Sequence, residues 1–307
     1  MTTVDTITPH PANPSSSNQR MSALIRPLIE HDGFMATALE GVQLMAAHQG
    51  EPATPQCYEP GLIIIAQGGK TAYLGDRTMH YGAGHYLVQA MSLPFECETR
   101  ADPECPMLGL SLRIDPAMLS ELARIVPEPE TSHTPQPMAA VPIDAAMEDS
   151  VVRLLECLHD PLIRQALGEA RIREVLFEAL RGPQGASLHH LLHHQSHYGR
   201  IARALELIHH NYAEPLAVEW LAERVNMSPS AFHHHFRQLT CHSPLQYQKR
   251  IRLLRARLML RRAEQVGTAA AAVGYHSASQ FSREYKRYFG LSPTCELRRQ
   301  HEPTTAP

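Results

Sequence analysis

Apolar positions recur at helical spacing in the last third of the chain and at strand spacing in its middle. Between Pro215 and Pro293 one small helical pattern is written twice: LAERVNMSPSAFHHHFRQLTCHSP, residues 221 to 244, and AAAVGYHSASQFSREYKRYFGLSP, residues 270 to 293. Phe232 and Phe236 recur as Phe281 and Tyr285, 49 residues on, and a fixed offset marks an internal repeat. Leu216 to Val225 predicts a short helix. Ser228 and Pro229 then supply an N-cap and a first helical residue. Phe232, Phe236 and Leu239 step i, i+4, i+7, one buried stripe. The opposite face carries Ser230, His233, His234, Arg237 and Gln238. The second copy buries Phe281, Tyr285 and Tyr288 and turns out Ala278, Ser279, Ser282, Arg283 and Lys286. A helix from Pro244 to Arg262, apolar at Tyr247, Ile251, Leu254 and Leu258, joins the copies. Its length is roughly 28 Å, against about 34 Å for one turn of duplex. Hydrogen-bonding and cationic outer faces suit helices lying in major grooves.

From Glu59 to Ile114 short apolar runs alternate with Gly, Pro and Asp. Strands are predicted at Leu62–Gln67, Lys70–Leu74, Arg77–Tyr81, Tyr86–Met91, Phe95–Thr99 and Met107–Ile114. Their length and spacing predict a β-roll or barrel, an architecture that often encloses a small-ligand cavity. Leu24 to Leu44 predicts a helix or a lead-in strand. Asp115 to Leu122 opens a helix, and Pro127 to Pro142 reads as a loop. Helices follow at Asp144–Leu158 and Leu162–Leu180, with apolar stripes that either cover the roll or form a dimer interface. Arg181 to Gly185 ends them. In the run from Ser187 to His197, residues His189, His193 and His197 would share one helical face. That spacing binds Zn²⁺ or Ni²⁺ in principle. No carboxylate or thiol accompanies it, and Leu188, Leu191 and Leu192 explain an amphipathic connector, so no metal is assigned. Tyr198 to Tyr212 begins the last domain, with Trp220 in its core, and Ser292-Pro293 starts a final helix to Gln300.

The 307 residues suggest two domains, and 43% hydrophobic content supports sizeable cores. Net charge is −3, but residues 200 to 300 carry +9 and the remainder −12. A basic module on an acidic one is an electrostatic footprint for nucleic acid. No apolar run reaches the roughly 20 residues of a membrane helix, and no signal peptide is visible, which predicts a cytoplasmic protein. Six cysteines without a CxxC pair predict reduced thiols, with a Cys97–Cys105 redox pair as the alternative. A metal-dependent enzyme in the roll is the rival reading. His80 and His85 are five apart, whereas alternation places i and i+2 on one face. Neither catalytic residues nor a cofactor are therefore assigned.

Residues 200 to 299 resemble the AraC/XylS-type DNA-binding domain. The carriers include Leu221-Ala222, Ser228-Pro229, Phe232, Ser243-Pro244, Arg252-Leu253, Gly274-Tyr275, Ser279-Gln280-Phe281 and Ser292-Pro293. The resemblance implies two helix-turn-helix units in one chain. By position it makes Ser230, His233 and His234 base-edge candidates in the first unit. Ala278, Ser279, Ser282 and Arg283 take that place in the second, and Arg237 and Lys286 match phosphate-contacting cations. Cys241 stands where the family usually has glycine, at a turn that favours a left-handed backbone. Residues 59 to about 185, through Glu59-Pro60-Gly61-Leu62, Leu74-Gly75-Asp76-Arg77 and Leu93-Pro94, resemble the cupin-like N-terminal sensor domain of one AraC subgroup. The fold implied is α+β: a cupin-like β-roll with flanking helices, then an all-α domain. The expected layout is a disordered tail (1–22), a sensing and dimerisation domain (23–185), a His-rich linker (186–197), a DNA-binding domain (198–300) and a tail (301–307). The implied function is a sequence-specific transcription regulator, an activator or a repressor. Double-stranded DNA, a small-molecule effector, RNA polymerase and a second copy of the chain are its implied partners.

Overall fold

The structure, a computed structural model, describes residues 16–129, 135–193 and 195–299. Its first half is a roll of two sheets. One has six strands in the order β1 (Gly33–Ala36), β2 (Val42–Ala47), β9 (Met107–Arg113), β4 (Gly61–Gln67), β7 (His85–Gln89) and β10 (Met138–Pro142). The other runs β3 (Glu51–Cys57), β8 (Pro94–Arg100), β5 (Gly69–Leu74), β6 (Arg77–Gly82). Neighbouring strands pair antiparallel, as in Leu62↔Leu112 and Ile64↔Tyr86. Strand β4 is apolar without alternation because both its faces are covered, helices on one side and the second sheet on the other.

Three segments depart from the sequence reading. Helix α1 (Ser16–Ile25) begins inside the span expected to be a disordered tail and runs past its end. Met21 and Ile25, one helical turn apart, are buried against the roll; residues 1–15 lie outside the described residues. Strands β1 and β2 occupy the stretch left between helix and strand, and β3 precedes the predicted roll. Pro52 and Pro55 mask β3, but it is an edge strand, where proline is tolerated. The loop expected from Pro127 to Pro142 ends in β10, an edge of the six-stranded sheet, which pairs with β7 from Met138↔Gln89 to Pro142↔His85.

After the roll come α2 (Pro116–Ala123), α3 (Ala145–His159) and α4 (Pro161–Arg181). Asp115, Asp144 and Asp160 cap them through their side chains. Arg153 ties α3 to α4 through Glu174 at 2.6 Å. Val151, Leu154, Leu155, Val175 and Leu176 join the core of the roll, so the pair covers it. Leu162, Ile163 and Leu167 of α4 remain exposed.

The expected His-rich linker is itself structured. Helix α5 (Gly185–Leu192) buries Leu188 and His189, and α6 (His197–His210) starts afresh behind an N-cap at Ser196. The helix breaks at His193, so the continuous face of His189, His193 and His197 does not form. Instead His190 Nε2 lies 3.2 Å from a Glu128 carboxylate oxygen. Then follow α7 (Val218–Arg224), α8 (Pro229–Thr240), α9 (Pro244–Arg261), α10 (Val266–Ala272), α11 (Ala278–Phe289) and α12 (Pro293–Arg299).

Helix α9 buries Tyr247, Ile251, Leu253, Ala256 and Leu260. The apolar seam expected through Leu254 and Leu258 is only partly used, and Leu258 is exposed. The reason is that α9 has neighbours on several sides: α6, α8, α10, α12 and β3. One hydrophobic core runs from the roll through Phe232, Phe236 and Ile251. A second holds Leu253, Leu260, Val273, Phe281 and Tyr285. The first helical unit thus shares its core with the roll, and the second has its own.

Candidate nucleic-acid interface

Helices α8 and α11 are built alike. Ser228 and Ser277 cap them, accepting from the backbone N–H of Ala231 and Gln280. Phe232 and Phe236 in one, Phe281 and Tyr285 in the other, are buried and pin each helix down. Both helices end in a left-handed residue, Cys241 at φ 61° and Gly290 at φ 77°. The turn that the repeat called for is therefore made in both copies, once by a residue that carries a Cβ.

What remains outside on α8 is Ser230, His233, His234, Arg237 and Gln238, all exposed. Their spacing of three and four makes one continuous stripe. On α11, Ala278, Ser279, Arg283 and Lys286 are exposed and Ser282 is half-buried. Arg287, which sequence reasoning left out, is also exposed. Glu284 on the same helix is withdrawn from this face by Lys249 at 2.7 Å and by the Tyr275 hydroxyl. The face of α11 thereby becomes more cationic than its sequence suggests.

Two clamps hold the second unit in place. Arg252 donates to the carbonyls of Tyr212, Ala213, Glu214 and Gly274, tying the loop after α6 to the turn before α11. Gln248 adds donors to Tyr212 and Glu214. On the far side Glu296 of α12, 5% exposed, meets Arg257 at 3.1 Å and Arg261 at 3.0 Å and accepts from the Tyr285 hydroxyl. Burial alone would raise the Glu296 carboxyl; the two guanidiniums overcome it and hold it below the usual carboxylate range.

The roll grips the helical domain at a seam. Cys241 Sγ packs on Leu74 O and Gly75 in the β5–β6 turn. The Tyr247 hydroxyl donates to Ser92 O of the roll, while His209 Nε2 stands 2.8 Å from the same hydroxyl. With the tyrosine proton committed to Ser92, the imidazole N–H is assigned as the donor to Tyr247. Burial, with Arg255 nearby, pushes His209 down to about 4. Beside this latch a cavity of about 910 Å³ opens between the roll, α5, α6 and α9. Met91, Leu119, Leu191 and Leu205 supply apolar wall, and Arg113, Arg203, Arg255, His209, Glu59 and Glu206 supply polar groups. A second cavity, about 680 Å³, lies at the mouth of the roll beside Phe34, Gln43, Tyr58 and Ser111.

The residues of the rival enzyme reading do not converge. His80 is exposed and pairs with Thr71 on β5, while His85 belongs to the other sheet. Cys97 is buried beside Tyr81 and Cys105 is exposed. Among the described residues no group of three or more His, Cys, Asp or Glu is arranged to hold a metal ion, and no helix is long and apolar enough to cross a membrane.

Comparison with known proteins matches residues 38–187 to the AraC-type transcriptional regulator N-terminus and residues 221–299 to a helix-turn-helix domain. The HTH-type transcriptional regulator GbdR of Pseudomonas aeruginosa is 28% identical over 163 residues, 52% of this chain and 42% of its own length. The transcriptional activator RhaS of Escherichia fergusonii is 28% identical over 177 residues, 57% of this chain and 62% of its own length. The chain thus spans about half the length of these curated relatives. Among solved structures, ToxT from Vibrio cholerae with a bound unsaturated fatty acid superposes with a TM-score of 0.58 at 9% identity. That match covers 88% of this chain and 97% of ToxT, and it shows a shared fold.

Proposed function

Because the chain belongs to the AraC/XylS-type DNA-binding transcription regulators, we propose that α8 and α11 read two neighbouring major-groove segments and that a small molecule in the seam cavity controls them. The observation that carries this reading is the pair of equally capped helices with polar outer stripes, joined by α9. At 18 residues, α9 is about 27 Å long. Ser230, His233, His234, Ala278, Ser279, Ser282 and Arg283 take the base edges, and Arg237 and Lys286 the phosphates. Arg283→Ala is expected to weaken binding by about 1–3 kcal/mol and to relax preference at one base pair. Selection of bound duplexes from a random pool, run with both proteins, checks this. Enrichment of the same motif at the same affinity by the variant would remove Arg283 from the reading set.

The effector part rests on the place and chemistry of the seam cavity. A ligand there touches the roll and the DNA-reading domain together, so unequal affinity for two arrangements shifts their balance. Apolar walls with Arg113, Arg203 and Arg255 set against Glu59 and Glu206 leave a cationic excess that suits an amphiphilic carboxylate, the class that the ToxT structure holds. A long-chain unsaturated carboxylate is expected to raise thermal stability, by about 2.7 kcal/mol at a hundredfold excess over Kd. The matching alcohol should not do so, and Arg255→Ala should lose most of the shift. Equal responses to acid and alcohol would count against a carboxylate effector. The same proposal includes a homodimer through the exposed Leu162, Ile163 and Leu167 of α4, with RNA polymerase as the downstream partner.

A further inference from the structure

The two reading stripes carry different kinds of charge. On α11 the exposed cations are Arg283, Lys286 and Arg287, permanently ionised at physiological pH. On α8 the one permanent cation is Arg237, and the centre of the stripe is occupied by His233 and His234. The third histidine of the run, His235, is treated differently. It is half-buried, and its ring stacks on His197 of α6 with centroids 3.9 Å apart and planes 14° apart. Burial pushes His235 down, and His197 and His234 push the same way against a hydrogen bond to Gln238. His235 is thus a back support whose burial favours the uncharged ring, while its two neighbours are exposed.

We propose that the first unit reads DNA as a protonated helix: His233 and His234 take up protons on binding, donate as imidazoliums to guanine edges and phosphates, and make the first half-site proton-linked while the second is not. The proposal rests on the reading in which α8 and α11 enter major grooves. Histidine changes charge between about pH 5 and 8. A phosphate within a few ångströms favours its charged form. Guanine presents two acceptors, N7 and O6, in the major groove, which suit a donor-only side chain.

Several charged groups on the elements packed against α8 are engaged elsewhere. Arg200 of α6 donates to Asn226 O. Arg224 of α7 lies over Trp220, and Glu219 and Glu223 are exposed. Lys249 of α9 is held by Glu284, and Arg250 lies over Tyr288. Binding brings phosphates and guanine edges up to His233 and His234 on this exposed stripe.

The test is the affinity of the full chain for a duplex carrying both selected half-sites, by fluorescence anisotropy at constant ionic strength from about pH 8 to about pH 6. Wild type is expected to bind about tenfold tighter or more at the acid end, since each proton taken up contributes up to tenfold per pH unit. The His233→Gln/His234→Gln double variant should lose most of that slope. Arg283→Ala should bind more weakly at every pH and keep the slope. Replacing the guanines of the first half-site by a deazaguanine that lacks N7 should flatten the slope; the same change in the second half-site should not. A flat wild-type profile, or an undiminished slope in the double variant, overturns the proposal. A duplex whose scrambled half-sites bind as well as the intact ones would instead overturn the underlying reading of α8 and α11.

Discussion

Gly274→Ala is expected to detach the second helix-turn-helix unit from the rest of the molecule. Gly274 sits at φ +83°, and a Cβ there would stand 2.0 Å from the carbonyl oxygen of Ala213. The left-handed backbone costs an alanine about 1–2 kcal/mol. The overlap adds about 1–3 kcal/mol or more, because the opposing atom is backbone and cannot swing aside. That carbonyl is also held by Arg252 Nη2 at 3.0 Å, so relieving the clash loosens the clamp as well. The core around Val273, Phe281 and Tyr285 is separate from the one shared by the roll and the first unit. Loss of roughly 2–5 kcal/mol should therefore appear as a new, earlier step in thermal unfolding rather than as collapse of the whole chain. Footprinting of the variant should show the second half-site unprotected while the first is still covered, at reduced affinity. A variant that melts and footprints like wild type would mean that the turn relaxes freely, contrary to its packing.

Glu296→Ala is expected to have an effect of similar size through charge. Among the described residues Glu296 is the carboxylate shared by Arg257 and Arg261, and it also takes the Tyr285 hydroxyl. Arg257 is only 12% exposed, so alanine leaves a nearly buried guanidinium without its counter-charge. Breaking one side of such a pair costs about 3–5 kcal/mol; Arg261, half exposed, contributes little. Because the folded carboxyl lies below its ordinary value, its contribution is complete above that ordinary value. It is lost as pH falls through the lower folded value. The variant should accordingly be less stable at neutral pH and show a shallower acid limb. Adding Arg257→Met should return part of the loss, since an apolar pair needs no partner. Equal stability of wild type and Glu296→Ala at neutral pH would show that solvent already reaches the site.

Much of the helical domain was legible because its helices, α9 apart, bury one face. The phenylalanine spacing, the Ser-Pro entries and the 49-residue offset are local patterns, and a local pattern survives without knowledge of neighbours. The left-handed turn at Cys241 was legible for the same reason: its place in the repeat, not its side-chain type, required it. The roll was legible only in part. Strands β4 to β9 announce themselves by apolar runs between turn residues. The edge strands β3 and β10 carry prolines that a central strand would exclude, and they pair only because the neighbouring strand supplies the ladder. Helix α1 offers two inward residues, Met21 and Ile25, too few to distinguish it from a polar tail.

By itself the sequence determined the family, the duplicated helical unit, the order of roll and helices, and which side chains line the outer faces of α8 and α11. These follow from periodicity and from residue types at fixed offsets. Tertiary structure alone decided that His235 stacks on His197. It also closed the Arg252 and Glu296 clamps and brought Ser92, His209 and Tyr247 to one seam beside a cavity. Each of those contacts joins residues far apart in the chain, often across two domains. Periodicity says which side of an element faces inward, and only packing says what it meets there.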